Sequence, residues 1–311
     1  MKIDVHQHLW TEPLLDALAA REQVPFVRSE SGLDVLYLAG ERPYVIDVRG
    51  EGRDRRAALV EQDGLDRALL CLSAPLGIER LPRRQAVALI DAYHDGALAL
   101  GAPFGVWGAV ALDRADGDDV ERALARGCVG VSLPAGALAS VDAVAALHDV
   151  LARLELRGAP LLVHPGPGLA GDGGPGCGLA DPLWWPALTG YVAGMHAAWH
   201  AFLAAGRARH PRLRVIFTML AGLAPLHAER LTARGGPAIA LADPLSFYET
   251  SSYGPAAAGA LAALVGPEQL LYGSDRPVLD PRQSAIAAEL DWERVSDGTG
   301  RALGAAVAVP A

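Results

Sequence analysis

Short apolar runs alternate along the chain with longer segments in which apolar residues recur at helical spacing. The short runs are rich in β-branched residues and are typical of buried strands. Eight such runs lie at residues 3–8, 68–73, 104–112, 128–133, 160–164, 213–219, 246–252 and 270–275. The helical segments lie at 53–63, 83–100, 118–125, 141–156, 195–209, 224–233, 255–265 and 281–290. This alternation predicts repeated βα units around a parallel sheet.

The numbers of strands and helices favour one α/β architecture, the (β/α)8 TIM barrel. The chain has 311 residues, which is more than the roughly 250 typical of that fold and leaves room for insertions. We place one insertion after the first strand, at 9–52, and one after the fifth, at 166–190. No linker divides the sequence, so residues 1–311 are predicted to form a single domain. A doubly wound open sheet is the alternative, but no GxGxxG motif follows the first strand.

Composition narrows the classes of partner. The formal net charge of −9 argues against nucleic acid or an anionic membrane surface, because both require a clustered basic face. A small-molecule substrate is therefore expected. No apolar run reaches the length of a transmembrane helix, and Asp4 interrupts the apolar start, so we predict a cytoplasmic protein. The sequence leaves the oligomeric state open, a homo-oligomer included.

Cysteine and lysine usage excludes several chemistries. Cys71, Cys128 and Cys177 are odd in number and lack CxxC spacing, which favours reduced, buried thiols over disulfides or a thiolate metal site. Lys2 is the single lysine among 27 basic residues. A Schiff-base mechanism and a carboxylated lysine that bridges two metals therefore have no candidate residue.

The tripeptide His6-Gln7-His8 at the end of the first predicted strand indicates a metal site. Residues i and i+2 of a strand share a face, so both imidazoles can reach one cation. In a barrel, functional residues gather at the carboxyl ends of the strands. His164 ends the fifth predicted strand and Asp275 ends the eighth. Three imidazoles and one carboxylate would leave an open coordination position, as a catalytic site requires.

These motifs carry a family resemblance over nearly the whole chain. The chain resembles the amidohydrolase superfamily, in particular the amidohydrolase-related branch of decarboxylases and lactone hydrolases. The likeness rests on Asp4-Val5-His6-Gln7-His8-Leu9-Trp10, Val163-His164-Pro165, His210-Pro211-Arg212-Leu213-Arg214-Val215 and Gly273-Ser274-Asp275-Arg276-Pro277. It implies one divalent metal, Zn²⁺ foremost with Mn²⁺ as the alternative, held by His6, His8, His164 and Asp275.

One position departs from the family pattern. The sixth strand of the family typically ends in a histidine followed by a glycine-rich turn, whereas Met219 stands at that place here. A thioether is neither an acid nor a base at neutral pH, so it cannot shuttle a proton. His227, eight residues further on, falls in the next predicted helix and is a poor substitute.

Other polar and aromatic residues carry weaker functional signals. Trp10, Trp184 and Met219 are candidates for substrate contacts. His196 and His200 have i, i+4 spacing, but Ala197 replaces the glutamate of an HExxH motif, so both are interpreted as structural. The remaining expectations are that Arg276 forms a structural ion pair, that Asp172 and Asp181 lie in turns, and that His94, His148 and His210 are solvated.

The leading functional hypothesis is a mononuclear metal-dependent hydrolase of a lactone, amide or ester. The cation would polarise the carbonyl and acidify water, and Asp275, ligand and nearby base, would take the proton. The first alternative is a metal-dependent non-oxidative decarboxylase, which depends more on the histidine that Met219 replaces. The second is a catalytically degenerate barrel that acts as a binding or scaffold protein.

Overall fold

A ring of parallel strands organises the molecule. The computed structural model describes residues 1–47, 50–169, 181–236, 243–281 and 286–304. Its strands are β1 (Ile3–Gln7), β2 (Phe26–Glu30), β3 (Leu33–Tyr37), β4 (Tyr44–Ile46), β5 (Arg67–Leu70), β6 (Phe104–Val106), β7 (Val131–Pro134), β8 (Leu161–His164), β9 (Val215–Phe217), β10 (Ser246–Glu249) and β11 (Leu270–Leu271). Within these described residues, β1 and β5 to β11 are the eight parallel strands that the sequence predicted.

The parallel strands form two sheets that meet at two seams. One sheet has the order β1-β5-β6 and the other has the order β11-β10-β9-β8-β7. An isolated bridge pairs Gly108 with Val131 at the first seam, and another pairs Gln7 with Arg276 at the second. The amide of Asp275 also donates to the carbonyl of His6 across 2.9 Å at the second seam. The predicted (β/α)8 barrel class is confirmed.

The helices follow the strands and pack outside them. They are α1 (Glu12–Ala19), α2 (Arg53–Gln62), α3 (Arg83–Leu98), α4 (Gly117–Ala125), α5 (Val141–Ala146), α6 (His148–Arg157), α7 (Trp185–Leu188), α8 (Gly190–Ala201), α9 (Arg207–Arg209), α10 (Ala228–Ala233), α11 (Pro255–Val265), α12 (Ile286–Glu289) and α13 (Trp292–Leu303). The helix predicted at 141–156 is divided at Leu147 into α5 and α6. The sequence interpretation missed α1, α7 and α13.

The first insertion has structure of its own, which the sequence interpretation did not predict. It contains α1 and an antiparallel sheet in the order β2-β3-β4. Leu36 of β3 is buried, and Leu36 and Tyr44 of this sheet line the cavity at the barrel mouth. In the second insertion, residues 170–180 lie outside the described residues. The predictions for Asp172 and Cys177 concern residues in this range.

Inward-facing side chains fill the barrel, as the close packing of this fold requires. The interior cluster contains Ile3, Val5, Leu69, Cys71, Trp107, Val129, Leu162, Ile216, Phe247, Leu271, Ala302 and Leu303. The last two residues belong to the end of α13, so this helix closes the floor of the barrel. Chemistry is therefore confined to the opposite end, where the strands finish.

Two histidines expected in solvent are buried instead. The ring of His94 is 4% exposed and accepts a hydrogen bond from the amide of Ala109 at 3.0 Å. His210 is 1% exposed and lies beside His148, which is exposed as predicted. Both predictions failed because α3 and the segment before β9 turn these rings toward the barrel. Among the described helices, none has the length and apolarity needed to cross a bilayer.

Candidate metal centre and cavity

Three histidine rings meet at the carboxyl ends of β1 and β8. We call His6, His8 and His164 the inner histidine cluster. Their ring centroids are 5.0 Å apart for His6 and His8, 4.8 Å for His6 and His164, and 5.1 Å for His8 and His164. All three are nearly inaccessible to solvent. The structure thus brings together the three imidazoles that the sequence placed at the ends of two separate strands.

The Nδ1 atom of each inner ring has a fixed acceptor. His8 donates to the carbonyl of Cys71 at 2.9 Å, and His164 donates to the carbonyl of Pro165 at 2.8 Å. Nδ1 of His6 faces Oε2 of Glu249 at 3.4 Å. These partners assign the proton to Nδ1 and leave the Nε2 lone pairs available. The Nε2 atoms of His6 and His8 lie 3.3 Å apart. Such second contacts orient and strengthen imidazole ligands at metal sites.

Asp275 completes the set from the seam between β11 and β1. Its Oδ1 atom lies 3.1 Å from Nε2 of His8 and 3.5 Å from Nε2 of His6. The residue has a left-handed backbone with φ of 56°, a conformation that Asp tolerates better than most residues. Oδ1 is buried, and among the described residues it has no hydrogen-bond donor of good geometry. A cation between this oxygen and the Nε2 atoms that face it would satisfy the carboxylate.

The pKa shifts of the inner histidines also bear on whether this cluster can hold a cation. Burial lowers the pKa of His8, but the charges of Cys71 and Asp275 outweigh burial and raise that pKa to about 9. Burial lowers the pKa of His164 well below its usual value, and repulsion from His6 and His8 lowers it further. The site therefore favours positive charge between its ligands. Three imidazole nitrogens and one carboxylate oxygen fit a divalent metal, and a zinc site uses the same donors.

Cys71 is a further candidate ligand that the sequence interpretation classed only as buried. Its sulfur belongs to the same potential metal-binding group as the inner histidine cluster, whose ligand atoms all lie within 4.8 Å of one another. Burial raises the pKa of the Cys71 thiol, but His8 and His6 outweigh that effect and lower the pKa to about 7. Its position near the end of the second predicted strand was the signal available in the sequence.

Glu249 supports the cluster from the end of β10, and the sequence interpretation missed it. This fully buried carboxylate faces His6 and accepts hydrogen bonds from the amide of Ser251 at 2.5 Å and from the amide of Met219 at 3.2 Å. Gly273 leaves the room that Glu249 needs, since a Cβ atom at this position would clash with Oε1 of Glu249. The glycine of the GSD motif thus has a packing role.

A buried polar network holds the first strand in place. Asp4 accepts hydrogen bonds from the side chain of Gln7 at 2.7 Å and from the amide of Ser274 at 3.1 Å. Arg56, also buried, donates to the side chain of Gln7 at 2.6 Å and to the carbonyl of His8 at 2.8 Å. The middle residue of the His6-Gln7-His8 motif therefore fixes its neighbours, because both of its polar ends are bonded.

A largely apolar cavity of about 240 Å³ lies over the inner histidine cluster. Trp10 and Met219 line it, and their predicted contacts with a substrate stay a prediction. Trp184 is not among the described lining residues: its side chain is 55% exposed and packs against Trp185. It precedes α7 and faces outward, and Leu188 of that helix lines the cavity instead.

Apart from the inner histidine cluster, the described polar groups that line the cavity are acidic or neutral. Glu41 and Tyr191 form a hydrogen bond in its wall. Burial raises the pKa of Glu41, and the hydrogen bond from Tyr191 offsets part of that rise. Among the described lining residues there is neither lysine nor arginine. Arg276 follows Asp275 but instead pairs with Asp63 at 2.7 Å, which confirms its predicted structural ion pair.

Met219 begins an unusual turn. Leu220, Ala221, Gly222 and Leu223 continue it, and all five residues have φ between 50° and 65°. A left-handed helical turn costs roughly 1–2 kcal/mol for each residue other than glycine. Among its five residues only Gly222 is a glycine, so the turn is built mainly from residues that disfavour this conformation. Met219 presents its thioether to the cavity at the position where a histidine was expected.

Comparisons with solved structures show a shared fold. The chain is 18% identical to IDCase from Metarhizium anisopliae in apo form, with a TM-score of 0.73 and coverage of 99% of this chain and 96% of that one. It is 19% identical to 5-carboxyvanillate decarboxylase from Sphingomonas paucimobilis, with a TM-score of 0.71 and coverage of 97% and 98%. A manganese-bound mutant of 5-carboxyvanillate decarboxylase from Novosphingobium aromaticivorans gives 14% identity, a TM-score of 0.72 and coverage of 97% of each chain.

No curated protein matches the chain at a significant level. The family model described as Amidohydrolase matches residues 3–303, from the first strand to the end of α13. A match of this extent includes both the histidine motif of β1 and the GSD motif after β11. The chain belongs to the amidohydrolase family.

Proposed function

We propose that the protein is a metal-dependent hydrolase of a small, uncharged lactone, ester or amide. His6, His8, His164 and Asp275 would hold the metal, Zn²⁺ in the first instance. The observation that carries this proposal is the buried carboxylate oxygen of Asp275, which lies 3.1 Å from Nε2 of His8 and lacks a donor of good geometry among the described residues. A divalent cation would satisfy this oxygen and the convergent imidazoles together.

Each protein group then has a defined task. When bound, the metal supplies a Lewis acid for the carbonyl and lowers the pKa of water. Asp275 accepts the proton of the attacking water, since its carboxylate is 14% exposed and faces the cavity. The Nδ1 contacts of the imidazoles keep their rings in one orientation. The apolar walls around Trp10 and Leu36 exclude bulk water and strengthen these interactions.

The cavity supports an uncharged substrate. A cavity of roughly 150 Å³ lined by apolar side chains binds benzene, so about 240 Å³ suits a substrate of about one ring with a substituent. Within the described lining, no cationic side chain is available to neutralise a substrate carboxylate. An ionised carboxylate would have only the bound metal as a cationic partner, whereas a neutral carbonyl compound needs no counter-charge. This favours hydrolysis of a neutral carbonyl compound over decarboxylation.

Glu41 is the proposed proton donor for the leaving group. Met219 cannot perform this task. Because the pKa of Glu41 is raised, a larger fraction of this carboxyl group is protonated near neutral pH than of the carboxyl group of an exposed glutamate. Tyr191 fixes its orientation through their hydrogen bond. Glu41 and Tyr191 line the same cavity as Asp275, and in this proposal Asp275 takes a proton and Glu41 returns one.

Decarboxylation is the second candidate, because two of the solved structures described above are 5-carboxyvanillate decarboxylases and one of them contains manganese. In that case the same four residues would hold Mn²⁺ and the substrate would be an aromatic carboxylate. Met219 and the cavity wall without a described cationic side chain both count against it.

A substrate screen separates the candidates. The protein, loaded in turn with Zn²⁺ and Mn²⁺, is incubated with neutral lactones, esters and amides and with aromatic carboxylates. Acid release from lactones and esters is followed by a pH indicator, amide hydrolysis by detection of the released amine, and carbon dioxide by a coupled assay. We expect acid release from a neutral carbonyl substrate. Carbon dioxide release without hydrolysis would establish the second candidate, and inactivity toward every class would favour a binding or scaffold role.

The role of Glu41 is tested with Glu41→Gln. For substrates with an alkoxide or amine leaving group, we expect kcat to fall by roughly 10²–10⁴-fold, the range of general acid catalysis. Nitrophenyl esters need no protonation and should be almost unaffected. Glu30→Gln is the matched control, because Glu30 forms an exposed hydrogen bond with Tyr37 in the same insertion. An equal loss for both leaving-group classes would contradict proton donation.

A further inference from the structure

A second group of three imidazoles lies outside the barrel, between α8 and the segment that leads into α10. We call His196, His200 and His227 the outer histidine cluster. The ring centroids of His196 and His200 are 6.1 Å apart, and those of His196 and His227 are 5.3 Å apart. The rings surround a surface depression of about 360 Å³ that is separate from the catalytic cavity.

Two arginines make this depression strongly basic. Arg230 and Arg234 follow His227 at intervals of three and four residues, which places the three side chains on one face of the helix. No carboxylate is among the described residues that line the depression. The chain as a whole carries a net charge of −9, so this concentration of cationic groups contrasts with the rest of the protein. Clustered cations of this kind attract anions.

The nitrogen contacts argue against a metal at the outer histidine cluster. Nε2 of His196 lies 2.6 Å from the carbonyl oxygen of Gly222 and therefore acts as a donor. Nδ1 of His200 donates to the backbone carbonyl of His196 at 2.7 Å. Metal chelation through the Nε2 atoms of the i, i+4 pair would break the first bond and would face two guanidinium groups. An anion leaves both hydrogen bonds intact, because guanidinium groups donate directly and an imidazole that has gained a second proton donates through its other nitrogen.

Burial lowers the pKa of His196, the hydrogen bond to Gly222 opposes this effect, and repulsion from His227 and His200 lowers the pKa further. His227 and His200 thus oppose protonation of His196. We propose that the outer histidine cluster, with Arg230 and Arg234, binds a phosphate group, either inorganic phosphate or a small phosphomonoester. A tetrahedral dianion provides several acceptor oxygens for donors that converge from two helices.

The site is connected to the catalytic cavity through one hydrogen bond. Gly222, the acceptor for His196, belongs to the left-handed turn that begins at Met219, and Met219 lines the cavity. Phosphate that holds His196 in place would restrain this turn. The site therefore has the position of an effector site, and its existence does not rest on the reaction proposed above.

Phosphate binding is measured by calorimetry on the full-length, metal-loaded protein, with inorganic phosphate as the probe and chloride at equal ionic strength as the reference. We expect saturable binding with one phosphate per chain. Arg230→Gln combined with Arg234→Gln should weaken it at least about tenfold, since each loses a charge-assisted hydrogen bond. The double control Arg55→Gln and Arg84→Gln removes the same charge from exposed positions of α2 and α3 and should leave the affinity unchanged.

Glycerol 3-phosphate distinguishes the source of the phosphate group: tighter binding than inorganic phosphate identifies a phosphomonoester ligand. Hydrogen exchange of the amides at 219–223 tests the connection, and phosphate should slow it in the natural protein but not in His196→Gln. Equal weakening in the control variant, or no saturable binding, would overturn the proposal. So would a second equivalent of Zn²⁺ that is lost in His200→Ala, because the site would then be a metal site.

Discussion

The inner and outer histidine clusters contain the same number of imidazoles at similar spacing, yet their surroundings differ in every other respect. Inner ring centroids are 4.8 to 5.1 Å apart, and two outer pairs are 5.3 and 6.1 Å apart. The inner rings are buried, anchored through Nδ1, and accompanied by the carboxylate of Asp275. The outer rings lie at the surface with two arginines. The groups around the rings, rather than the distances between them, select a cation in one place and an anion in the other.

The largest expected difference between the clusters is in metal binding. His8→Ala should lower metal affinity at least about 100-fold and abolish activity, because loss of a ligand exceeds the 10- to 100-fold effect typical of losing one of its supporting contacts. His200→Ala, which removes an imidazole from the outer cluster, should retain the full metal content. Metal analysis after dialysis checks both. Equal metal loss in the two variants would remove the distinction between the clusters.

The dependence of the inner cluster on close packing is tested at Gly273. Gly273→Ala would force a Cβ atom against Glu249, the carboxylate behind His6, and should destabilise the fold by about 2–3 kcal/mol, as overpacked sites do. Gly259→Ala is the control: it lies in α11 with open space around it and should stabilise by about 0.5–1 kcal/mol. Urea unfolding measures both changes. A neutral Gly273→Ala would show that Glu249 moves freely.

His94 shows what burial does to a histidine that belongs to neither cluster. Burial, with a smaller contribution from Arg126, lowers its pKa to about 4. The folded state therefore binds this proton less readily than the unfolded state, and stability declines as pH falls from about 6.5 toward 4. The loss between pH 7 and pH 5 should be about 2 kcal/mol. His94→Gln, which keeps an acceptor for Ala109, should remove that part of the acid dependence in urea unfolding curves at the two pH values.

The smallest effect concerns the turn that joins the two clusters. Ala221→Gly and Ala224→Gly each remove a buried methyl group, but only Ala221 has a left-handed backbone. Glycine relieves about 1–2 kcal/mol of strain at position 221 and none at position 224. We expect Ala221→Gly to be more stable than Ala224→Gly by about 1 kcal/mol in thermal or urea unfolding. Equal stabilities would mean that the turn is not strained.

The ring of strands and the inner cluster were largely predictable from the sequence, for physical reasons. Buried parallel strands are continuous apolar runs, and polar residues at their carboxyl ends stand out against them. His6, His8, His164 and Asp275 could therefore be grouped by their positions in the sequence alone. Glu249 stands at the same kind of position, at the end of β10, and could have been found by the same rule.

The remaining features depend on tertiary contacts that local patterns do not contain. The antiparallel sheet of the first insertion is short, and its placement over the mouth decides that Glu41 lines the cavity. Trp184 was a reasonable pocket residue by type, but the chain direction before α7 turns it outward. His94 was predicted to be solvated, yet it is buried because the ring bonds the backbone beyond β6. In each case the deciding contact joins residues that are far apart in sequence.

The packing of α13 beneath β1 has a consequence for synthesis. Ala302 and Leu303 share the interior cluster with Ile3 and Val5, and the proposed metal ligands extend from residue 6 to residue 275. A chain emerging from the ribosome cannot assemble this site until almost all of it has been translated. Contacts between such distant residues also slow folding. Metal acquisition should therefore be a late, post-translational event, and chains truncated before α13 should be recovered without metal.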